Sequence, residues 1–204
     1  METNPQKIIK KLDAKIMTLG NGHVGKTSLI FRFTDNSFTL NYLTTIGIDS
    51  KFKTVEVSDD ETIRVQLTDT AGQEKFSSLS YNYIKNSEGI IFVYDITNEE
   101  SFKGISDWIT KVDETVNITR PSILVGNKSD LEEKRKVSKE EGEKFAKEQG
   151  MHFFETSCQT GDNVENAFMD LVQQIYEKKK SIIQSENEEN IKINTKNSKK
   201  KKCC

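Results

Sequence analysis

Gly20-Asn21-Gly22-His23-Val24-Gly25-Lys26-Thr27 fits the pattern G-x-x-x-x-G-K-[ST]. An apolar run over residues 14–19 precedes it, and Ser28-Leu29-Ile30-Phe31 follows with helical character. Strand, glycine turn and helix start form the context in which this pattern cradles phosphate. Phosphate is a concentrated negative charge. Successive N–H groups in a tight turn, together with a helix N-terminus, present fixed positive dipoles to it. Gly20, Gly22 and Gly25 are expected to supply positive φ and a close backbone approach. Lys26 is the candidate partner of the β- and γ-phosphates, and Thr27 of a Mg²⁺ ion. Asn21, His23, Val24 and Ser28 complete the predicted phosphate loop.

The remaining composition narrows the class. A chain of 204 residues accommodates one α/β domain and a tail. Its 30 basic and 32 acidic residues argue against a nucleic-acid binder driven by net charge. The signs are unevenly placed, with Lys196, Lys199, Lys200, Lys201 and Lys202 crowding the end. Cys158 stands alone, and Cys203 and Cys204 are the last two residues, which is no disulfide framework. The N-terminus METNPQKIIKK lacks the apolar segment of a signal peptide. No apolar run approaches the ~18 residues of a membrane span. A cytosolic protein is expected, in which the Asn117-Ile118-Thr119 sequon is idle.

In chain order, residues 1–12 read as a flexible leader, 14–19 as a strand and 26–34 as a helix. Residues 35–47 have no stable period and read as a long loop. Residues 54–57 and 63–67 alternate apolar and polar around Ser58-Asp59-Asp60-Glu61, which predicts a β-hairpin. Residues 69–74 form a polar turn, and a weak helix runs to about Ser87. Ile90-Ile91-Phe92-Val93-Tyr94 is a continuous apolar run, as in a parallel strand buried on both faces. Phe102, Ile105, Ile109, Val112 and Val116 stripe a helix. Residues 122–125 predict a further strand. Ser138 with Glu141 predicts a capping box opening a helix to about Gln149, with Gly150 as its C-cap. A last strand covers 151–155, and Val164, Ala167, Phe168, Leu171, Val172 and Ile175 stripe the final helix. From about Ser181 the chain is polar and predicted disordered. Alternating strands and helices predict an α/β fold. Its six-stranded sheet is mainly parallel with one antiparallel strand from the hairpin, and helices cover both faces. Such sheets bind ligands at the carboxyl ends of their strands.

Three further stretches fall at such ends. In Asp69-Thr70-Ala71-Gly72-Gln73, the carboxylate suits a Mg²⁺ site, the Gly72 N–H a terminal phosphate, and Gln73 an attacking water. In Asn127-Lys128-Ser129-Asp130, the Asp130 carboxylate matches the two adjacent donors of guanine, its ring N–H and exocyclic amine. Adenine offers no such pair. Asn127 would buttress the loop and contact the base edge, and the Lys128 stem would cover the base. Glu155-Thr156-Ser157-Cys158 follows the last strand. Each stretch is also compatible with an ordinary turn or cap.

The ordered set GNGHVGKT, Thr45, DTAGQ, NKSD and ETSC resembles the Ras superfamily of small GTPases over residues 13–178. The resemblance implies a P-loop NTPase small G domain that binds GTP and GDP with Mg²⁺ and hydrolyses GTP. It makes Phe38 the aromatic against the guanine face. Ser157, Cys158 and Gln159 become the loop whose backbone meets the guanine carbonyl. Tyr42 and Thr45 fall in a first switch, with Thr45 completing Mg²⁺ and contacting the γ-phosphate. Asp69, Gly72 and Gln73 fall in a second. Thr27, Thr45 and Asp69 are the implied metal set, and Gln73 and Lys26 the implied catalytic pair. Gly22 leaves room for Gln73 and for a partner's arginine. No arginine lies in the first switch, so intrinsic hydrolysis is expected to be slow, on the order of 10⁻⁴–10⁻² s⁻¹.

Thr45-Ile46-Gly47-Ile48-Asp49, Phe76 after DTAGQE, and the terminal Cys203-Cys204 resemble the Rab branch, which regulates vesicle traffic. Ser50 and Thr68 stand where Rabs usually carry two aromatics of the effector patch, and Tyr83-Ile84-Lys85-Asn86-Ser87 where they carry Y-Y-R-G-A. Ser157-Cys158-Gln159 replaces the usual S-A-K. Cys203 and Cys204 resemble a double geranylgeranylation site; two lipid chains beside a lysine cluster hold stably to an anionic cytosolic leaflet. Residues 179–204 are read as a hypervariable tail. The implied partners are an exchange factor, a GTPase-activating protein, a GDP-dissociation inhibitor, the prenylation machinery and switch-binding effectors, all acting on a monomer. The competing readings are a nucleotide-holding pseudo-GTPase and a Ras- or Rho-type signalling GTPase.

Overall fold

A computed structural model describes residues 10–39, 48–70, 78–116 and 119–200. Its elements run β1 (Lys10–Leu19), α1 (Lys26–Asp35), β2 (Ile48–Ser58), β3 (Glu61–Thr70), α2 (Ser78–Asn86), β4 (Gly89–Asp95), α3 (Glu99–Thr115), β5 (Ser122–Asn127), α4 (Lys139–Glu148), β6 (His152–Thr156) and α5 (Val164–Lys200). The six strands form one sheet in the order β2-β3-β1-β4-β5-β6. Only the β2–β3 pair is antiparallel; β1–β3, β1–β4, β4–β5 and β5–β6 are parallel. The chain leaves β1 toward β3 on one side and β4 on the other, so the switch in winding falls at the carboxyl end of β1. The glycine loop lies there.

Burial explains why the central strands read as unbroken apolar runs. Side chains alternate across a strand. On β1, Ala14 and Ile16 join the core under α1 and α5, whereas Met17 and Leu19 join the core under α2, α3 and α4. On β4, Ile91 and Val93 face the first core and Ile90, Phe92 and Tyr94 the second. Both faces are covered, so every residue of β4 is buried. Phe33 of α1 and Phe168 of α5 stack at 4.2 Å between centroids, 8° from parallel, a contact worth about 1 kcal/mol beyond its burial.

The Ser138–Glu141 capping box forms in both directions, and Gly150 follows α4 at φ 68. Several boundaries differ from expectation. β1 begins at Lys10 and takes residues 10–12 of the expected leader into the sheet, its backbone pairing with Glu61, Thr62 and Ile63. Both hairpin strands are longer than expected, so the turn shrinks to Asp59 and Asp60, and Asp69 and Thr70 belong to β3. Val116 is an extended C-cap (φ −144) beyond α3, which buries Trp108 beside Ile105 and Val112. α5 runs 37 residues to Lys200, so the backbone over residues 179–200 is helical where disorder is expected. The stretch is polar, but it has good helix formers and neither Gly nor Pro to stop it. Lys178 donates to the Thr119 carbonyl at 2.6 Å, and Lys179 pairs with Glu88 at 2.7 Å, fastening the helix where it leaves the body. Among the described residues, no helix is long and apolar enough to cross a membrane.

Candidate functional site

At the end of β1 the chain turns at Gly20, φ 146. A Cβ there would sit 2.1 Å from the Val93 carbonyl oxygen, so β4 leaves room for glycine alone. The other left-handed positions of the loop are His23 (φ 63) and Gly25 (φ 97). Positive φ expected at Gly22 thus falls on His23. The next residue, Val24, must enter the core, where it is 1% exposed, and the turn that takes it there is left-handed one residue earlier. Histidine adopts that conformation at roughly 1 kcal/mol, more readily than a branched side chain.

Gly25 begins α1 without a side-chain cap, and the first turn carries no acidic residue. Its N–H groups therefore face the loop as anion donors. Lys26 is 4% exposed, and its ammonium donates to the Gly20 carbonyl at 2.8 Å and the Asn21 carbonyl at 2.7 Å. Burial pulls its pKa down to about 8, against the opposing pull of Asp69. Thr27 donates its hydroxyl to Asp69 Oδ2 at 2.6 Å, joining the first loop to the end of β3. Ser28 is half-buried in α1. Asn21 braces the loop against α3, its Oδ1 accepting from Trp108 Nε1 at 3.0 Å. Trp108 belongs to none of the sequence motifs. Its signal is its position, three residues after Ile105 on the same stripe, with an indole N–H that needs an acceptor.

Asn127 joins the phosphate and base ends of the site. It is 1% exposed and donates from Nδ2 to the Val24 carbonyl at 2.8 Å. Its Oδ1 accepts from Thr156 Oγ1 at 3.2 Å and Cys158 Sγ at 3.4 Å. A Cβ at Gly25 would lie 2.3 Å from Asn127 Nδ2, so that glycine makes the bridge possible. Lys128 follows in the left-handed region (φ 67) and pairs with Asp95 Oδ2 at 2.6 Å. Asp95 is a second residue that the motifs do not reveal. Its Oδ1 accepts from the Thr97 N–H and hydroxyl at 2.8 and 2.7 Å, so the carboxylate that orients Lys128 is itself held. Asp130 is exposed on a short 3₁₀ helix (Ser129–Lys134) and accepts the Ser157 hydroxyl at 2.6 Å on Oδ1. Ser157 is fully buried, Cys158 is 4% exposed and Gln159 is exposed. Glu155 turns away from them into an ion pair with Arg135 at 2.6 Å. Phe38 is half-buried against the core under α1 and α5.

Burial pushes the Cys158 thiol pKa up to about 12. The thiolate is the alkylating species, so at pH 8 the folded protein should react at Cys158 ~10³-fold more slowly than an ordinary cysteine. Peptide mapping after timed iodoacetamide treatment, with and without denaturant, checks this. Cys158 labelling at the denatured rate in the folded protein would contradict it.

Phosphate loop, Asp69, Asn127, Asp130 and residues 157–159 thus converge at one edge of the sheet. Tyr42, Thr45, Ile46, Gly47, Ala71, Gly72, Gln73, Glu74, Phe76, Asn117, Ile118, Cys203 and Cys204 lie outside the described residues. Ser50 pairs with Thr68 across β2–β3, and the large exposed side chain beside them is Phe52, with Arg64 4.3 Å from its ring centroid.

A strand–loop–helix phosphate cradle at the winding switch of a mainly parallel sheet, wired to a second loop of N-K-x-D sequence, defines a P-loop nucleotide-binding protein. The sequence model of the Ras family matches residues 15–177, and the chain belongs to that family. It is Rab-like within it. Ras-related protein Rab-10 of Diplobatis ommata is 42% identical over 192 residues, covering 93% of this chain and 94% of its own. GTP-binding protein YPT1 of Saccharomyces cerevisiae is 43% identical over 163 residues, 80% of this chain and 79% of its own. Human Ras-related protein Rab-8B is 42% identical over 164 residues, 80% and 79% of the two chains.

Proposed function

We propose that this chain is a guanine-nucleotide switch that hydrolyses GTP to GDP and regulates vesicle traffic on the cytosolic face of an intracellular membrane. The observation that carries this reading is the Asn127 bridge. One buried carboxamide ties the phosphate loop at Val24 to the base loop at Thr156 and Cys158. A ligand with phosphates at one end and a base at the other fits such a site.

The roles follow from the chemistry of each group. Lys26 and the N–H groups of residues 20–27 neutralise the phosphates. Asp130 accepts the two guanine donors, Phe38 lies on the base, and the backbone of Ser157, Cys158 and Gln159 meets the guanine carbonyl. The Thr27 hydroxyl and Asp69 carboxylate, 2.6 Å apart, are hard oxygen donors suited to Mg²⁺, with Thr45 as the third. Mg²⁺ held there supplies positive charge to the phosphate oxygens. Gln73 orients the water that attacks the γ-phosphate in line, and Lys26 and the backbone dipoles receive the charge that develops. Thr45 and Gly72 contact the γ-phosphate, so the two switches order around GTP and relax after hydrolysis.

An exchange factor releases GDP, and an activating protein supplies the arginine that the first switch lacks. Effectors meet a surface where Ser50 and Thr68 replace aromatics and Phe52 stands exposed. Cys203 and Cys204 are the lipid sites served by the prenylation machinery, and a GDP-dissociation inhibitor sheathes the lipids. The protein acts as a monomer.

Single-turnover hydrolysis tests the reading. Gln73→Leu should slow GTP cleavage by about tenfold or more, a small share of the 10²–10⁴ that a positioned proton-handling group supplies, while GTP stays bound. Undiminished cleavage in the variant would remove Gln73 from the mechanism. Absence of cleavage in the wild type, even with candidate activators, would leave a nucleotide holder.

A further inference from the structure

We infer that Arg32, on the last turn of α1, is the positioning residue that aims the base loop at the 6-oxo group of guanine. The inference rests on the reading that guanine is the bound base. Arg32 is half-buried and spreads its guanidinium over two segments that the sequence holds far apart. Its Nε donates to the Cys158 carbonyl at 2.8 Å, and its Nη2 donates to the Gln159 carbonyl at 3.0 Å. Its Nη1 donates to the Asn36 carbonyl and to Asn36 Oδ1, both at 3.2 Å. Asn36 caps α1 at φ 48 and stands two residues before Phe38. One planar fork thus fixes the base loop and the entry to the first switch together.

The consequence for the loop follows from peptide geometry. In a trans peptide the carbonyl and the next N–H point in opposite directions. Holding the Cys158 carbonyl toward Arg32 aims the Gln159 N–H away from it. Holding the Gln159 carbonyl aims the Thr160 N–H likewise, and that N–H does meet Ser157 Oγ at 3.1 Å. Ser157 Oγ in turn donates to Asp130 at 2.6 Å, so the loop is tied to the acceptor carboxylate on its other side. The result is an acceptor, Asp130, beside a backbone donor of fixed direction, the Gln159 N–H. Guanine carries the complement, an N–H and an amine beside a 6-oxo acceptor. The Asp130 half is a side chain and can adjust. The donor half is backbone, and Arg32 fixes it. A lysine in place of Arg32 offers a single compact ammonium and cannot hold two carbonyls and the cap at once.

The test uses the full-length protein and two nucleotides, GDP and 2-aminopurine riboside 5′-diphosphate. The second lacks both the 6-oxo group and the ring N–H and keeps only the amine for Asp130, so the role of Arg32 is read from how much its substitution changes the binding of each nucleotide. Arg32→Gln should weaken GDP about tenfold, roughly the worth of one well-aimed hydrogen bond, and the 2-aminopurine nucleotide less than about twofold. Arg32→Lys should fall between wild type and Arg32→Gln on GDP. If Arg32→Gln does not fold, Arg32→Lys carries the same comparison. Equal losses on both nucleotides would overturn the proposal, because a general loosening of the fold does not read the 6-oxo group. Unchanged GDP affinity would overturn it as well. Failure of the underlying reading has a different signature, a wild-type protein that does not prefer GDP over the 2-aminopurine nucleotide.

Discussion

Replacing Asp130 with alanine is expected to weaken GDP by ~10³-fold and to leave ADP no weaker than before. The carboxylate is the only group proposed to accept from both the guanine ring N–H and its amine. Two hydrogen bonds to a charged acceptor contribute about 2 kcal/mol each, and each 1.4 kcal/mol is tenfold in affinity. Adenine sets an acceptor nitrogen where guanine has its ring N–H, so the carboxylate repels it, and alanine removes the repulsion. The fold should tolerate the change. Asp130 is exposed on a 3₁₀ helix without buried residues, and Ser157 Oγ keeps the Thr160 N–H at 3.1 Å after losing its acceptor. Competition of unlabelled GDP and ADP against a fluorescent guanine nucleotide measures the ratio, and a thermal melt of the stripped protein checks the fold. A variant that still prefers GDP over ADP by its original factor would place base selection elsewhere.

The chemistry-bearing residues were legible because each sits in a short local pattern. Lys26, Thr27, Asp69, Asn127 and Asp130 belong to three short motifs, each at the carboxyl end of a strand that shows in the sequence by its apolar or alternating pattern. The residues that hold those motifs in place were not. Trp108 meets Asn21 across 87 residues, and Arg32 meets Cys158 across 126. Neither pair shares a motif, since the contact exists only once the sheet brings α1, α3 and β6 around one edge. Asp95 ends a strand that reads only as apolar, and its pairing with Lys128 depends on β4 lying beside β5. His23 hides for another reason: glycine is the residue expected at positive φ, yet the left-handed position is set by where Val24 must enter the core. The limits of β1 and α5 do not show in the composition, which reports side-chain burial. Residues 10–12 join the sheet through their backbone, and residues 179–200 stay helical without a stop signal.

Lys26→Ala should remove most nucleotide affinity, ~10³-fold for GDP, without lowering the melting temperature of the nucleotide-free protein. The two halves of this expectation have one cause. The ammonium is 4% exposed, and burial already pulls its pKa down to about 8. In the free protein a costly buried charge is held by the Gly20 and Asn21 carbonyls at 2.8 and 2.7 Å. Alanine abolishes that desolvation penalty along with the two hydrogen bonds, and the loop keeps its shape through Gly20 against Val93, Val24 in the core and the Asn127 bridge. In the complex the balance is opposite. The phosphates bring negative charge into the same low-dielectric pocket, where two charge-assisted contacts to the ammonium contribute about 4 kcal/mol. Calorimetric titration of stripped protein with GDP gives the affinity, and differential scanning gives the melting temperature. GDP affinity within tenfold of wild type would take Lys26 out of the phosphate site. A large fall in melting temperature with affinity preserved would make the lysine a structural clamp on the loop instead.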